Sequence, residues 1–174
     1  FSTGMTGYFT TMNEPDGGGA DPASNHVLGF IDKGCWDSTD KKVLFVTSDH
    51  FFASSPGGQA RFVQFDDATA TWSRLAAGSW FPLLSSSARH GYHHNAIDVT
   101  GRRLYHKLFA VREVYACNLA APITSGSWTQ LPTPPTGYNA SAIGTDYVPW
   151  VGTQGSYMTH QTDNGTQGSM YRYD

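Results

Sequence analysis

The chain has 174 residues, 14% of them charged and 14% aromatic, with 19 glycines and 9 prolines. That length suffices for one domain with a core, and the mixture fits short strands joined by turns rather than a helical bundle or disorder. A net charge of −3 offers no basic face for nucleic acid or an anionic membrane, and no apolar run reaches the roughly 18 residues of a membrane-spanning helix.

Residues 1–26 are the least regular part, with room for one short strand over Gly7–Met12. The run Asn13–Pro22 is dense in turn formers. Its Gly17–Gly19 triplet is read as surface loop, because no Lys-Ser/Thr follows and no helix pattern begins there. The chain opens at Phe1 without a signal-peptide pattern and is expected to be processed or part of something longer. From Val27 the strand signals become clear. Val27–Ile31 is apolar, Cys35-Trp36-Asp37 follows, and a polar turn leads into Val43-Leu-Phe-Val-Thr47. That segment is β-branched and aromatic, and too short for a helix. A Ser/Pro/Gly loop over 48–59 precedes Arg61–Phe65, and a second polar turn leads to Thr71–Leu75.

The same order recurs from His90 to Pro132: strand, turn, strand, loop, strand, and a short last strand carrying Trp128. Asp37 with Val43-Leu-Phe aligns with Asp98 and Arg103-Leu-Tyr. Val63–Asp66 aligns with Tyr115–Asn118, and Trp72–Leu75 with Trp128–Leu131. The offsets are 61, 52 and 56 residues, differing only where loops absorb insertions. A third copy starts near Asn139–Ile143 and runs out at Tyr171–Asp174, at its third strand. The units are placed at about 27–77, 88–132 and 138–174, in one domain behind the irregular segment 1–26. The expected fold is all-β, built from four-stranded antiparallel sheets. A lone twisted sheet of this size cannot bury both faces, whereas radial stacking buries faces and protects edges. Trp72 and Trp128 open the outermost strands, where an indole packs between neighbours while its N–H reaches a backbone acceptor.

An apolar strand, then Asp before a Lys/Arg-Leu-aromatic strand, then aromatic-x-aromatic-Asp, then Trp-Ser/Thr-x-Leu resembles a kelch-type blade. The sequence His90–Ile97 followed by Gly101–Tyr105 is similar to kelch-like propellers encoded by bacteria and tailed phages. The kelch Gly-Gly doublet is absent after the second strand of the second unit. The resemblance covers about residues 27–174 and implies a β-propeller. About three units fall short of the roughly 4–8 blades of a ring, so other blades or other copies are expected to complete it.

His90, Tyr92, His93, His94 and Asn95 form the one cluster that exceeds the repeat, and they are the candidate ligand-binding residues. In an extended strand His90 and His94 share a face and His93 points away. A metal would need a third ligand such as His50 or His160, so the cluster is read as capping the strand or binding a ligand, with no metal or cofactor assigned. Aromatics at Trp80, Phe81, Tyr92, Tyr138, Tyr147 and Trp150 either face a partner or cover sheet interfaces.

Enzyme signatures are weak. Copper-radical chemistry needs a Cys beside a Tyr, but Cys117 aligns with Phe65 as a core residue, and Cys35 is expected at an exposed strand end without a Tyr partner. Thr162-Asp-Asn-Gly165 matches only the middle of a sialidase Asp-box. No serine-hydrolase elbow or zinc-protease helix occurs, and two glutamates, Glu14 and Glu113, leave few carboxylate pairs for glycoside hydrolysis.

The function expected is a non-catalytic binding or structural module for a protein or glycan surface, with a virion or host-surface role implied by the phage resemblance. A carbohydrate-active or metal-dependent propeller enzyme is the alternative. Two cysteines leave compartment open. The Asn139-Ala-Ser141 and Asn164-Gly-Thr166 triplets fit glycosylation acceptors, which arise often by chance in such a composition.

Overall fold

A computed structural model describes residues 33–47, 61–80, 94–108 and 112–133, together with the backbone of strands at 143–148, 156–161 and 170–173. The elements are almost entirely β. Strands β1 (Cys35–Asp37), β2 (Lys42–Thr47), β3 (Arg61–Asp66) and β4 (Thr71–Leu75) form sheet 1 in chain order. Strands β5 (Asn95–Asp98), β6 (Arg103–Lys107), β7 (Val114–Asn118) and β8 (Trp128–Gln130) form sheet 2, again in chain order. Sheet 3 has β9 (Ile143–Val148), β10 (Ser156–Gln161) and β11 (Met170–Tyr173). Every described pairing is antiparallel. Among the described residues, no helix is long and apolar enough to cross a membrane. The strands expected at Gly7–Met12 and Val27–Ile31 lie outside the described residues.

Three hairpins follow one local rule. Asp37 pairs with Lys42, Asp66 with Thr71, and Asp98 with Arg103, so each turn spans four residues. The leading aspartate caps the turn: Asp37 Oδ1 accepts from Thr39 N at 3.0 Å, Asp66 Oδ1 from Ala68 N at 3.0 Å, and Asp98 Oδ1 from Gly101 N at 2.7 Å. This is the turn chemistry that short acceptor side chains supply. Each turn closes on a left-handed residue, with φ of 57° at Lys41, 52° at Ala70 and 54° at Arg102.

The shared turn corrects the sequence alignment by one residue. Lys42 stands to Asp37 as Arg103 stands to Asp98, so Val43 corresponds to Leu104 rather than to Arg103. The slip matters because successive strand residues face opposite ways. The other two alignments match the register: Phe65 pairs with Trp72 as Cys117 pairs with Trp128.

Sheets 1 and 2 stack face to face. Cys35, Leu44, Val46 and Phe62 of sheet 1 form one cluster with Leu104, Tyr115, Cys117 and Trp128 of sheet 2. The far face of sheet 2 is also buried, through Ala96, Tyr105, Val114 and Ala116. Burial on both faces explains why β7 reads Val-Tyr-Ala-Cys with no polar alternate. Trp128 occupies the position foreseen for it between the sheets. Its ring meets Phe62 edge-on at 5.2 Å and its Nε1–H donates to Ala76 O at 3.2 Å. On the outer face of sheet 1, Phe45 and Phe65 pack on Trp72. The first strands of successive sheets are neighbours: β1 runs beside β5, and β5 beside β9.

Candidate functional site

Of the five candidate residues, His90, Tyr92 and His93 lie outside the described residues. The other two, His94 and Asn95, are completely buried where β5 begins. Asn95 completes a strand ladder. β1 is three residues long, and its pairing with β2 ends at Cys35 and Leu44, which leaves the backbone of Val46 facing the gap beyond. The Asn95 side chain fills that gap. Its Oδ1 accepts from Val46 N at 3.0 Å, and its Nδ2 donates to Val46 O at 3.0 Å and to Lys33 O at 3.4 Å. A primary amide carries the same donor and acceptor as a peptide, so it stands in for the missing strand residue and ties sheet 2 to sheet 1. An unmet buried N–H or C=O would cost about 1–3 kcal/mol.

This geometry fixes the chemistry of a neighbour. Val46 N–H sets which end of the Asn95 amide is oxygen, and His106 Nδ1 lies 3.1 Å from that oxygen. His106 Nδ1 therefore carries the proton and donates, leaving Nε2 as the basic nitrogen of the ring. His106 is fully buried, 6.5 Å ring to ring from His94. Burial, then the nearby His94 and Lys107, hold its pKa well below the usual imidazole range. His106 is a residue that sequence reasoning missed. Its signal was positional, since a four-residue turn after Asp98 places it opposite Asn95.

Of the two readings of Trp80, partner contact or cover for a sheet interface, the structure bears out the second, since the ring lies in the seam. Its ring stacks on Tyr115 at 4.0 Å and meets Trp128 edge-on at 5.5 Å. Gly78 lies under the indole, so close that a Cβ there would sit 1.9 Å from Trp80 Nε1. Of the other aromatics, Phe81, Tyr138 and Trp150 lie outside the described residues, and Tyr147 is placed in β9 by its backbone.

Two further basic side chains of the two sheets, Arg102 and Lys107, are tied into the architecture. Arg102 Nη1 reaches both carboxylate oxygens of Asp37, at 2.6 and 2.7 Å, and its Nη2 donates to Asp40 Oδ2 at 2.6 Å and to Leu119 O at 3.2 Å. The hydrogen bond with Asp37 raises the Arg102 pKa further. Lys107 is fully buried, with Nζ donating to Leu108 O, and burial pulls its pKa down to about 7 against the opposing pull of Glu113. Both cysteines are buried and neither forms a disulfide. Cys35, expected at an exposed strand end, is instead 3% exposed, because its side chain faces sheet 2. Cys117 is a core residue, as its alignment with Phe65 implied. Burial pushes its thiol up to about 12, which keeps it protonated at neutral pH. Among the described residues, no three His, Cys, Asp or Glu side chains are grouped to hold a metal ion.

No family model matches the chain, and neither a curated protein nor a solved structure proved significantly similar to it.

Proposed function

We propose that the three sheets are blades of a kelch-like β-propeller, and that the chain is a non-catalytic module that binds a protein or glycan surface. The observation that carries the blade reading is the run of first strands, β1 beside β5 beside β9, each heading an antiparallel meander. Stacked sheets whose first strands line one side are what radial packing about an axis requires.

The binding reading follows from how the two ends differ. In a meander, alternate turns fall at opposite ends. The β1–β2 and β5–β6 turns share one end, since Arg102 of one reaches Asp37 and Asp40 of the other. That end is built from tight, aspartate-capped turns. The long connections, 48–60 and 81–93, leave from the opposite end. They carry Phe81, His90, Tyr92 and His93, the residue types that stack on sugar rings or anchor a protein partner. In this reading those connections are the recognition surface. A place on a virion or a host-facing surface accords with this reading.

A glycan array read beside a hydrolase and oxidase screen tests it. Binding without turnover, weakened at least tenfold by Tyr92→Ala, is expected. Turnover that His90→Ala abolishes would replace the module with a carbohydrate-active or metal-dependent enzyme.

A further inference from the structure

Sheets 1 and 2 meet through two particular rows of residues. In sheet 2 the row Ile97–Leu104–Cys117–Trp128 runs straight across the strands, one position before the turn-capping Asp98. It faces sheet 1 and is closed: Leu104 and Cys117 have no exposed surface, and Trp128 is buried. Sheet 1 meets it with the row one position further from its own turn, Cys35–Leu44–Gln64, whose first two members share the seam cluster. Sheet 1 also has a row of the first kind. Trp36–Val43–Phe65–Trp72 occupies the same place relative to Asp37, on the face turned away from sheet 2. It is apolar at every position, and aromatic at all but Val43. Here the row is open: Trp36 is 44% exposed, and Val43, Phe65 and Trp72 are half-buried. Lys41, the counterpart of Arg102 at the end of the turn, is exposed at the head of the same hairpin. An apolar row closed in one sheet and open in the other marks an interaction surface.

Sheet 3 holds a row of the second kind. Its register sets Asp146, Met158 and Arg172 side by side across β9, β10 and β11. Aligning Tyr171–Asp174 with Val63–Asp66 puts Arg172 where sheet 1 has Gln64. Asp146–Met158–Arg172 therefore corresponds to Cys35–Leu44–Gln64, the row that a sheet gives to its successor. The first strands run β1, β5, β9, so the open row and its complement stand at opposite ends of the stack. We propose that the outer face of sheet 1 is a docking surface for sheet 3 of a second copy of this chain. The proposal rests on the blade reading and names the contact through which copies join. The chemistry of the two rows is complementary. Arginine and methionine pack favourably on aromatic rings, and an acidic residue in the incoming row answers the cationic Lys41. The contact joins unlike faces, so it closes on itself only through rotation. Two copies of three sheets bring six into one stack, within the roughly 4–8 of a ring.

Sedimentation of the full chain over a concentration series, joined to cross-linking with a short bismaleimide, tests this. A reversible dimer is expected, weakened about tenfold or more by Trp36→Ser and by Lys41→Asp. Both positions are exposed, and aspartate tolerates the left-handed backbone at position 41. A Ser38→Cys copy mixed with a Val148→Cys copy should cross-link at the turn end where sheet 1 meets sheet 3, while neither variant links to itself. Cys35 and Cys117 are buried and stay out of the reaction. A chain that is monomeric up to its solubility limit would overturn the contact. So would association unchanged by both Trp36→Ser and Lys41→Asp, or Ser38→Cys linking to itself. Negative-stain images of the dimer separate this contact from the blade reading. A cross-linked dimer without a ring keeps the contact and sinks the blades, and a ring without the cross-link does the reverse.

Discussion

Lys107 is a lysine whose whole side chain is buried, and its chemistry sets a pH dependence for the fold. Its folded pKa of about 7 lies below the ordinary value of 10.5. Between those values the unfolded chain binds a proton that the folded chain does not, so stability rises with pH across that window and the penalty is complete below it. We expect stability to climb by about 2 kcal/mol from pH 7 to 9. Lys107→Met should gain about 1–3 kcal/mol at pH 7, since it keeps the stem and removes the desolvated amine. It should also flatten the rise. Denaturant midpoints of both proteins at pH 7 and 9 check this, and a less stable Lys107→Met would show that the Leu108 and Glu113 contacts outweigh desolvation. At this scale the sequence was only half legible. Cys117 was readable as core because it aligns with Phe65. The role of Asn95 was hidden, since nothing in an asparagine at the head of a strand names a backbone 49 residues away.

The hairpins were the most legible elements, because one aspartate and one turn length recur in both sheets. They also separate two reasons for a residue's identity. Ala70 occupies left-handed backbone and has ample reason to be glycine, whereas Gly101 is glycine for room. A Cβ at Gly101 would lie 2.1 Å from Asp98 Oδ2, inside the carboxylate that caps the turn. Gly101→Ala is expected to cost about 1–2 kcal/mol, the scale of losing a capping hydrogen bond with local strain. In an Asp98→Ala background the same change should cost less than about 0.5 kcal/mol, because the clashing group is gone. A double-mutant cycle in urea measures the difference, and additive costs would place the strain elsewhere. The one-residue slip between Val43 and Leu104 arose at this scale too. Apolar strand residues align almost as well out of register, and only the hydrogen-bonded turn settles which is correct.

At the scale of the whole molecule, three links of different chemistry join sheets 1 and 2: the Asn95 amide at one end of the seam, Trp128 between the sheets, and Arg102 with Asp37 at the turn end. Links spread along the whole seam couple the sheets, so we expect them to unfold as one unit although each has a complete ladder. Asp37→Asn tests that coupling with little else disturbed. The asparagine oxygen still accepts from Thr39 N and Asp40 N, so the turn stays capped, while Arg102 loses its bidentate charged partner. Asp37 is 1% exposed, which removes it from the class of surface pairs that contribute little. Leaving the guanidinium with the exposed Asp40 carboxylate and the Leu119 carbonyl should cost about 2–4 kcal/mol, below the full penalty for a deeply buried pair because Arg102 keeps some contact with water. In a coupled pair of sheets that loss appears equally in both. Protection of β2 and β6 amides should therefore fall by the same factor, roughly 30- to 1,000-fold at about 1.4 kcal/mol per decade. A loss confined to β2 would mean that the sheets fold independently and the seam contributes packing without cooperativity.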